Sequence, residues 1–351
     1  MTITRLYPTH PEAGIPQKIT GGLGWLYLPL PFRLNHVNIW LLGDGVDEGG
    51  VRGDIDVIDA GLGNDATRAI WQKILSPDVS LRRALLTHFH PDHMGNGGWL
   101  ESEHRATIYM TEREFLTAYT ARYLPETDER QQRQLFFHQL GVPDREITVK
   151  TARSFYPTNT PTLPQRFVGL RAGDHIELGG RDWLVLCYGG HAPEQICLYH
   201  QDAVTGGLFI AADQVLERIS PNITVWFHEP EANPLGDYLA SLREIRQIIP
   251  DSVLVLPSHG LPFRGLHERL MELELHHKNR LQLILDYMQS DAAGRQGVTT
   301  ADIMGILFGM KMDAFEIGFA LGEALAHLNY LVGGGQIARR MVGMEWRFYI
   351  R

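Results

Sequence analysis

The first sixty residues alternate short apolar runs with turn residues: 24–28, 36–42 and 55–59 are rich in Leu, Ile, Val, Trp and Tyr. Runs of that length and composition predict antiparallel strands. The period then changes. Ile70, Trp71, Ile74 and Leu75 share one face of a helix over 66–75, with Asp65 as its expected N-cap. That helix leads to the buried-type run Ala84-Leu85-Leu86, and strand, helix, strand in this order is a crossover that leaves the next segment at a strand's carboxyl end. From about 111 to 165 the pattern turns helical, over 112–119 and 128–137, and ends in a Pro/Thr-rich loop at 157–164. This insertion suits a lid, with Tyr119, Tyr123, Phe136, Phe137 and His138 as candidate substrate contacts. Strand signals resume at 175–178, 183–187, 196–199, 208–212 and 253–256. A long helix is expected over 266–289, a short one through 303–307, another from Asp313 or Ala314 to Leu331, and a hairpin of 336–342 and 346–350 turning at Gly343-Met344-Glu345. The expected division is 1–265 and 266–351.

Composition narrows the class without choosing a function. With 351 residues, 44% hydrophobic, the chain can bury a large core. Met1-Thr2-Ile3-Thr4-Arg5 lacks a signal-peptide pattern and no apolar run reaches spanning length, so a cytoplasmic protein without a membrane segment is expected. Cys187 and Cys197 are too few for a disulfide framework or a Cys-rich metal site and are expected as buried free thiols. A formal charge of −9 disfavours a nucleic-acid partner. Sixteen histidines are more than such a chain needs, so the question is which converge.

The chemistry concentrates in Thr87-His88-Phe89-His90-Pro91-Asp92-His93-Met94-Gly95, directly after the Ala84-Leu85-Leu86 run. Imidazole nitrogens and carboxylate oxygens suit zinc and its first-row neighbours. Asp92 and His93 point differently from the alternating pair His88 and His90, so the spacing suits two metals side by side, with further donors from elsewhere. Three later strand ends supply them: His191 in the Gly/Pro turn Tyr188–Gln195, Asp213 after the apolar run 208–212, and His259 after 253–256. A carboxylate at the end of an apolar strand is costly unless partnered. With Asp213 as bridge, the donors are His88, His90, Asp92, His93, His191, Asp213 and His259, enough for two metals. Asp59, at a strand end before a glycine turn, is either a turn-capping carboxylate or a group that orients a ligand histidine from behind, and the two roles are compatible.

This order of motifs resembles the metallo-β-lactamase superfamily over residues of about 20 to 265. The resemblance implies an α/β fold, an αββα sandwich with the site along one edge. It also implies that His88, His90 and His191 hold one zinc, that Asp92, His93 and His259 hold the second, and that Asp213 bridges, while Asp59 matches the family's strand-end Asp-x-Gly. True β-lactamases of the superfamily usually lack a bridging aspartate, so Asp213 argues against that activity. Thioesterase, phosphodiesterase and ribonuclease branches keep it. Many thioesterase-like members read Pro-Gly-His where this chain has Pro193-Glu194-Gln195, which argues against a standard glutathione thioester. Three helices and a hairpin at the end resemble the winged-helix tail of one β-lactamase-like branch. The expected wing helix, 314–328, carries no basic residue, and only Arg339, Arg340, Arg347 and Arg351 lean toward nucleic acid. The tail is therefore expected to pack, to help wall the site and to offer a homodimer contact.

The resulting expectation is a two-zinc hydrolase, iron or manganese being compatible with the same donors, that cleaves a small-molecule ester-like bond. An acyl-CoA or acylglutathione type thioester is the first choice, with Asp92 and Asp213 positioning the attacking hydroxide. The alternative is a metal-dependent phosphodiesterase or single-strand endoribonuclease; a lactonase, a β-lactamase and an iron-bound redox protein rank lower. Asn35, His36, Asn38, Trp226, Phe227 and His228 are further pocket candidates.

Overall fold

The computed structural model describes residues 2–47, 50–143, 156–202, 206–290, 297–309 and 314–351. Two seven-stranded sheets lie face to face. In spatial order the first runs Val168–Gly169, Thr107–Met110, Val79–Leu85, Gly53–Ile58, His36–Leu42, Leu23–Pro29 and Gln17–Thr20. The second runs Thr4–Arg5, Phe263–Arg264, Leu254–Pro257, Leu208–Ala212, Gln195–His200, Arg181–Tyr188 and His175–Leu178.

The period-2 pattern decides which side chain faces which layer. In Arg181–Tyr188, Trp183 and Val185 enter the layer between the sheets, while Leu186 and Tyr188 face outward to helices. Leu208 and Ile210 likewise point inward, and Phe209 and Ala211 outward. The middle layer is completed from the first sheet by Leu23, Trp25, Trp40, Leu42, Ile58 and Leu85. Helices Asp65–Ile74, Gly97–His104 and Glu112–Tyr123 cover the outer face of the first sheet through Trp71, Ile74, Leu100 and Ala118. Helices Pro234–Ile248, Leu266–Met288 and Ala314–Gly333 cover the second. The order helix, sheet, sheet, helix is the sandwich the sequence implies.

Several boundaries move by a residue or two, and one cap changes identity. Asn64, not Asp65, caps the first helix: its backbone is extended and its side chain accepts the Thr67 N–H at 2.8 Å. Asp65 falls just inside, where its charge meets the positive end of the helix. The insertion helices span Glu112–Tyr123 and Glu126–Gln139, and residues 144–155 of the expected lid lie outside the described residues. Phe136 and Phe137 are buried in the core cluster that includes the C-terminal segment, while Tyr119 and Tyr123 stand exposed side by side. The C-terminal segment forms Leu266–Met288, Thr300–Phe308, Ala314–Gly333 and a hairpin of Ile337–Val342 with Glu345–Ile350. Its apolar side chains join the same core cluster as the outer face of the second sheet. Cys187 and Cys197 are free, one half-buried and one buried, on facing strands but offset in register. Among the described residues no helix is long and apolar enough to cross a membrane.

Candidate metal centre

Each sheet contributes a parallel strand pair whose carboxyl ends meet at one edge of the sandwich. Gly53–Ile58 runs parallel to Val79–Leu85, which delivers Asp59 beside the His88 segment. Leu208–Ala212 runs parallel to Leu254–Pro257, which delivers Asp213 beside His259. The turn between the antiparallel strands Arg181–Tyr188 and Gln195–His200 adds His191. The sheets are stitched together there, since Ile196 N–H donates to Thr87 O at 2.9 Å.

The histidine-rich segment is not loop throughout. Pro91, with its fixed φ, starts a single helical turn, Pro91–Met94, that swings Asp92 and His93 away from His88 and His90. Gly95 closes it against the Asp59 turn, where a Cβ would lie 2.3 Å from Gly63 N. Asp59 and Ala212 both hold left-handed backbone, φ 68° and 46°, at the ends of the strands that feed the site. Such strain persists only where surrounding contacts fix it.

The structure brings all seven predicted donors together. His88, His90 and His191 form one compact group, Asp92, His93 and His259 a second, and Asp213 joins His88 and His93 in a third. Asp213 Oδ2 is 3.3 Å from His191 Nε2 and 3.4 Å from His259 Nε2, and its Oδ1 is 3.7 Å from His93 Nε2. Asp92 Oδ2 stands 3.5 Å from His259 Nε2 and 3.6 Å from His93 Nε2. His90 and Asp92 are half-buried and the other five buried.

The far side of each ring shows which nitrogen is free. His191 Nδ1 lies 2.9 Å from Asn222 O and His259 Nδ1 2.6 Å from His36 O; carbonyls only accept, so these nitrogens carry the protons. His93 Nδ1 donates to Asp59 Oδ2 at 2.8 Å. Thr87 Oγ1 donates to the same carboxylate at 3.0 Å and accepts from His88 Nδ1 at 3.0 Å. Asp59 also takes the Thr87 N–H, so one carboxylate orients two rings and a turn. The Nε2 atoms of His90, His93, His191 and His259, with Asp213 Oδ1, are left buried without a hydrogen-bond partner. Unpaired buried polar atoms are rare because each costs about 1–3 kcal/mol. Several such lone pairs converging on one spot fit metal ions.

Charge reinforces this. Burial pulls the His88 and His90 pKa values far down, and neighbouring imidazoles add to it, so both are neutral donors. For His93 burial is outweighed by Asp92, Asp213 and Asp59, which push it up to about 10. For Asp213 burial is outweighed by His259 and His93, which hold its carboxyl well below the ordinary range.

Four supporting residues lie outside the donor motifs. Glu114, fully buried, accepts the Phe89 N–H at 2.8 Å and the Glu194 N–H at 2.6 Å. Asn222 orients His191 through its carbonyl. Asn38, expected as a pocket residue, fastens the His259 turn instead: its amide donates to Pro257 O and Gly260 O at 2.9 and 2.8 Å. His36 serves the same turn, its Nε2 accepting the Gly260 N–H at 2.9 Å. Only Glu114 has a local signal, the Thr111-x-x-Glu114 capping pattern, and that pattern points to a cap rather than to the site.

The metallo-β-lactamase superfamily profile matches residues 33–259, and the C-terminal domain described as metallo-beta-lactamase-like matches 288–349. The chain belongs to the metallo-β-lactamase superfamily. Similar solved structures include a beta-lactamase domain protein from Burkholderia ambifaria, 34% identical, with 99% of this chain and 98% of that one covered and a TM-score of 0.86. A metallo-beta-lactamase family protein from Thermus thermophilus is 28% identical over 95% of this chain and all of that one (100%), with a TM-score of 0.74. No curated protein matches the chain. Members of the superfamily are generally metal-dependent hydrolases, and the His/Asp cluster is in keeping with a hydrolase of this kind.

Proposed function

We propose that the protein is a dinuclear zinc hydrolase that cleaves an ester-like bond, with a thioester as its preferred substrate. The observation that carries the reading is the convergence of the unpaired Nε2 atoms of His93, His191 and His259 on the carboxylates of Asp92 and Asp213, with His90 grouped beside His88 and His191. In this reading His88, His90 and His191 hold one ion, Asp92, His93 and His259 the other, and Asp213 lies between them. The donor set is all nitrogen and oxygen, which zinc accepts and iron or manganese would also accept. When bound, the ions supply a nucleophile from water near neutral pH and polarise the acyl carbonyl.

The chain's own residues do the rest. Asp59, Thr87 and the carbonyls of Asn222 and His36 hold the rings so that Nε2 faces inward. Asp213, buried and ionised, keeps negative charge at the centre. Asp92 is the donor carboxylate with its side chain open to solvent, 20% exposed, and it takes the proton of the attacking water and passes it to the departing group. A thiolate departs with little protonation, since an ordinary thiol has a pKa of about 8.5. A site whose titratable groups are taken up as donors therefore suits a thioester better than a bond that needs a strong acid. The net charge of −9 speaks against a nucleic-acid substrate.

The test is turnover by metal-quantified enzyme against acyl-CoA and acylglutathione thioesters, a lactone, a β-lactam, a bis-nitrophenyl phosphodiester and single-stranded RNA, with Asp213→Ala as control. Thioester turnover that disappears in the control is the expected result. Cleavage of the phosphodiester or RNA with inert thioesters overturns it.

A further inference from the structure

The chain contains the same helix-start pattern twice, and the two copies behave differently. Thr299-Thr300-Ala301-Asp302 closes on itself: Thr299 Oγ1 accepts the Asp302 N–H at 3.2 Å, and Asp302 Oδ2 accepts the Thr299 N–H at 2.8 Å. That is the ordinary reciprocal capping box. Thr111-Glu112-Arg113-Glu114 makes only the first half, with the Glu114 N–H donating to Thr111 Oγ1 at 3.3 Å. The Glu114 carboxylate turns away from the cap and spends both oxygens elsewhere. Oε2 takes the N–H of Phe89, the residue between His88 and His90, and Oε1 takes the N–H of Glu194, three residues after His191. Thr111 Oγ1 also donates to Glu194 O at 3.1 Å, so the Glu194 backbone is gripped on both sides.

From this we infer that Glu114 is a positioning residue for the candidate metal centre, fixing the distance between the His88/His90 segment and the His191 turn. The inference rests on reading the cluster as a metal centre. A fully buried carboxylate whose two hydrogen-bond partners are backbone N–H groups of other segments is an expensive way to start a helix. Burial shows in its pKa, raised to about 7 against the pull of those two N–H groups. A local cap would have sufficed for the helix, as Thr299 and Asp302 demonstrate. What the diverted carboxylate adds is a rigid link between two segments from different sheets whose three histidines form one compact group.

The experiment uses the full-length chain as wild type, Glu114→Gln, Thr111→Val and Thr111→Ser. It reads zinc content, zinc affinity by chelator competition, the visible spectrum after cobalt(II) substitution, and the melting temperature. Glutamine keeps the shape but sets an NH2 against one of the two N–H donors. The expected result is an affinity loss of about 10- to 100-fold for one of two ions, with the other retained and the cobalt spectrum altered. Thr111→Val should weaken the same ion and Thr111→Ser should restore wild-type binding; this pair decides the matter if Glu114→Gln does not fold. Variants that bind both ions with wild-type affinity and spectrum, even with a lower melting temperature, show a merely structural residue and overturn the inference. Wild type that takes up no metal overturns the metal-centre reading itself, a different result from the previous one.

Discussion

Two of the histidine clusters among the described residues invite comparison, and what surrounds their rings separates them. At the sandwich edge the rings face carboxylates, and the nitrogens nearest Asp92 and Asp213 have no hydrogen-bond partner. On the C-terminal helices Leu266–Met288 and Ala314–Gly333, His276, His277 and His327 lie equally close, with ring centroids 5.1 and 5.3 Å apart. Here the rings serve one another: His327 Nδ1 donates to Glu323 O at 2.8 Å, and its Nε2 accepts from His277 Nδ1 at 3.2 Å; His277 Nε2 is also buried without a partner, but His277 makes no ion pair with a carboxylate among the described residues. The nearby Glu323 carboxylate is taken by Arg280 and by Asn222. Electrostatics follows the surroundings. Burial drives His277 down to about 2, helped by His327 and His276, whereas three carboxylates carry His93 up to about 10 against burial. Histidine density therefore does not make a site. Unpartnered ring nitrogens facing carboxylates do.

The contrast is tested most harshly by deleting its centre. Asp213→Ala is expected to lower kcat/KM by about 1,000-fold, equivalent to about 4 kcal/mol of lost stabilisation. His277→Leu should leave kcat/KM and zinc content within a few-fold of wild type. Comparable losses in both would erase the distinction between the clusters. A smaller effect is expected from Asp59→Asn. Asparagine tolerates the left-handed backbone held there, φ 68°, so the change bears on the carboxylate's grip on His93 and Thr87 rather than on the turn. Zinc affinity should fall by about 10- to 100-fold with the fold retained, read by chelator competition and circular dichroism.

The smallest effect sharpens the other side. His277 stays neutral in the folded protein far below the ordinary histidine pKa of 6.5. As pH falls from 6.5 toward 4 the unfolded chain gains a proton there and the folded chain does not, so acid favours unfolding. Relative to His277→Leu, wild type should lose about 1.4 kcal/mol per pH unit over that window, and the difference should be flat above it. Denaturant titrations of both proteins at pH 4.5, 5.5 and 7.5 check this. A pH-independent difference would mean that the second cluster is not held neutral.

Much of this was legible in the sequence because strand ends and short motifs are local. His88, His90, Asp92 and His93 sit within six positions, and His191, Asp213 and His259 each follow an apolar run that had to be a strand. Parallel pairing then places those strand ends together, and the family resemblance says which sheet edge they share. What escaped was contact between distant segments. Glu114 resembles a cap residue until the Phe89 and Glu194 amides are seen beside it. Asn222 has no motif at all, since it acts through a backbone carbonyl. Phe136 and Phe137 looked like lid aromatics because the helical period does not reveal which neighbour a face meets. Here it meets the C-terminal core.

The most direct measurement is the anomalous scattering of crystals of the metal-loaded protein, recorded on both sides of the zinc absorption edge. Two peaks are expected, one among His88, His90 and His191 and one among Asp92, His93 and His259, with Asp213 between them and no peak at His276, His277 and His327. A protein that retains no metal at the sandwich edge, or one whose only peak lies in the C-terminal cluster, would contradict the account.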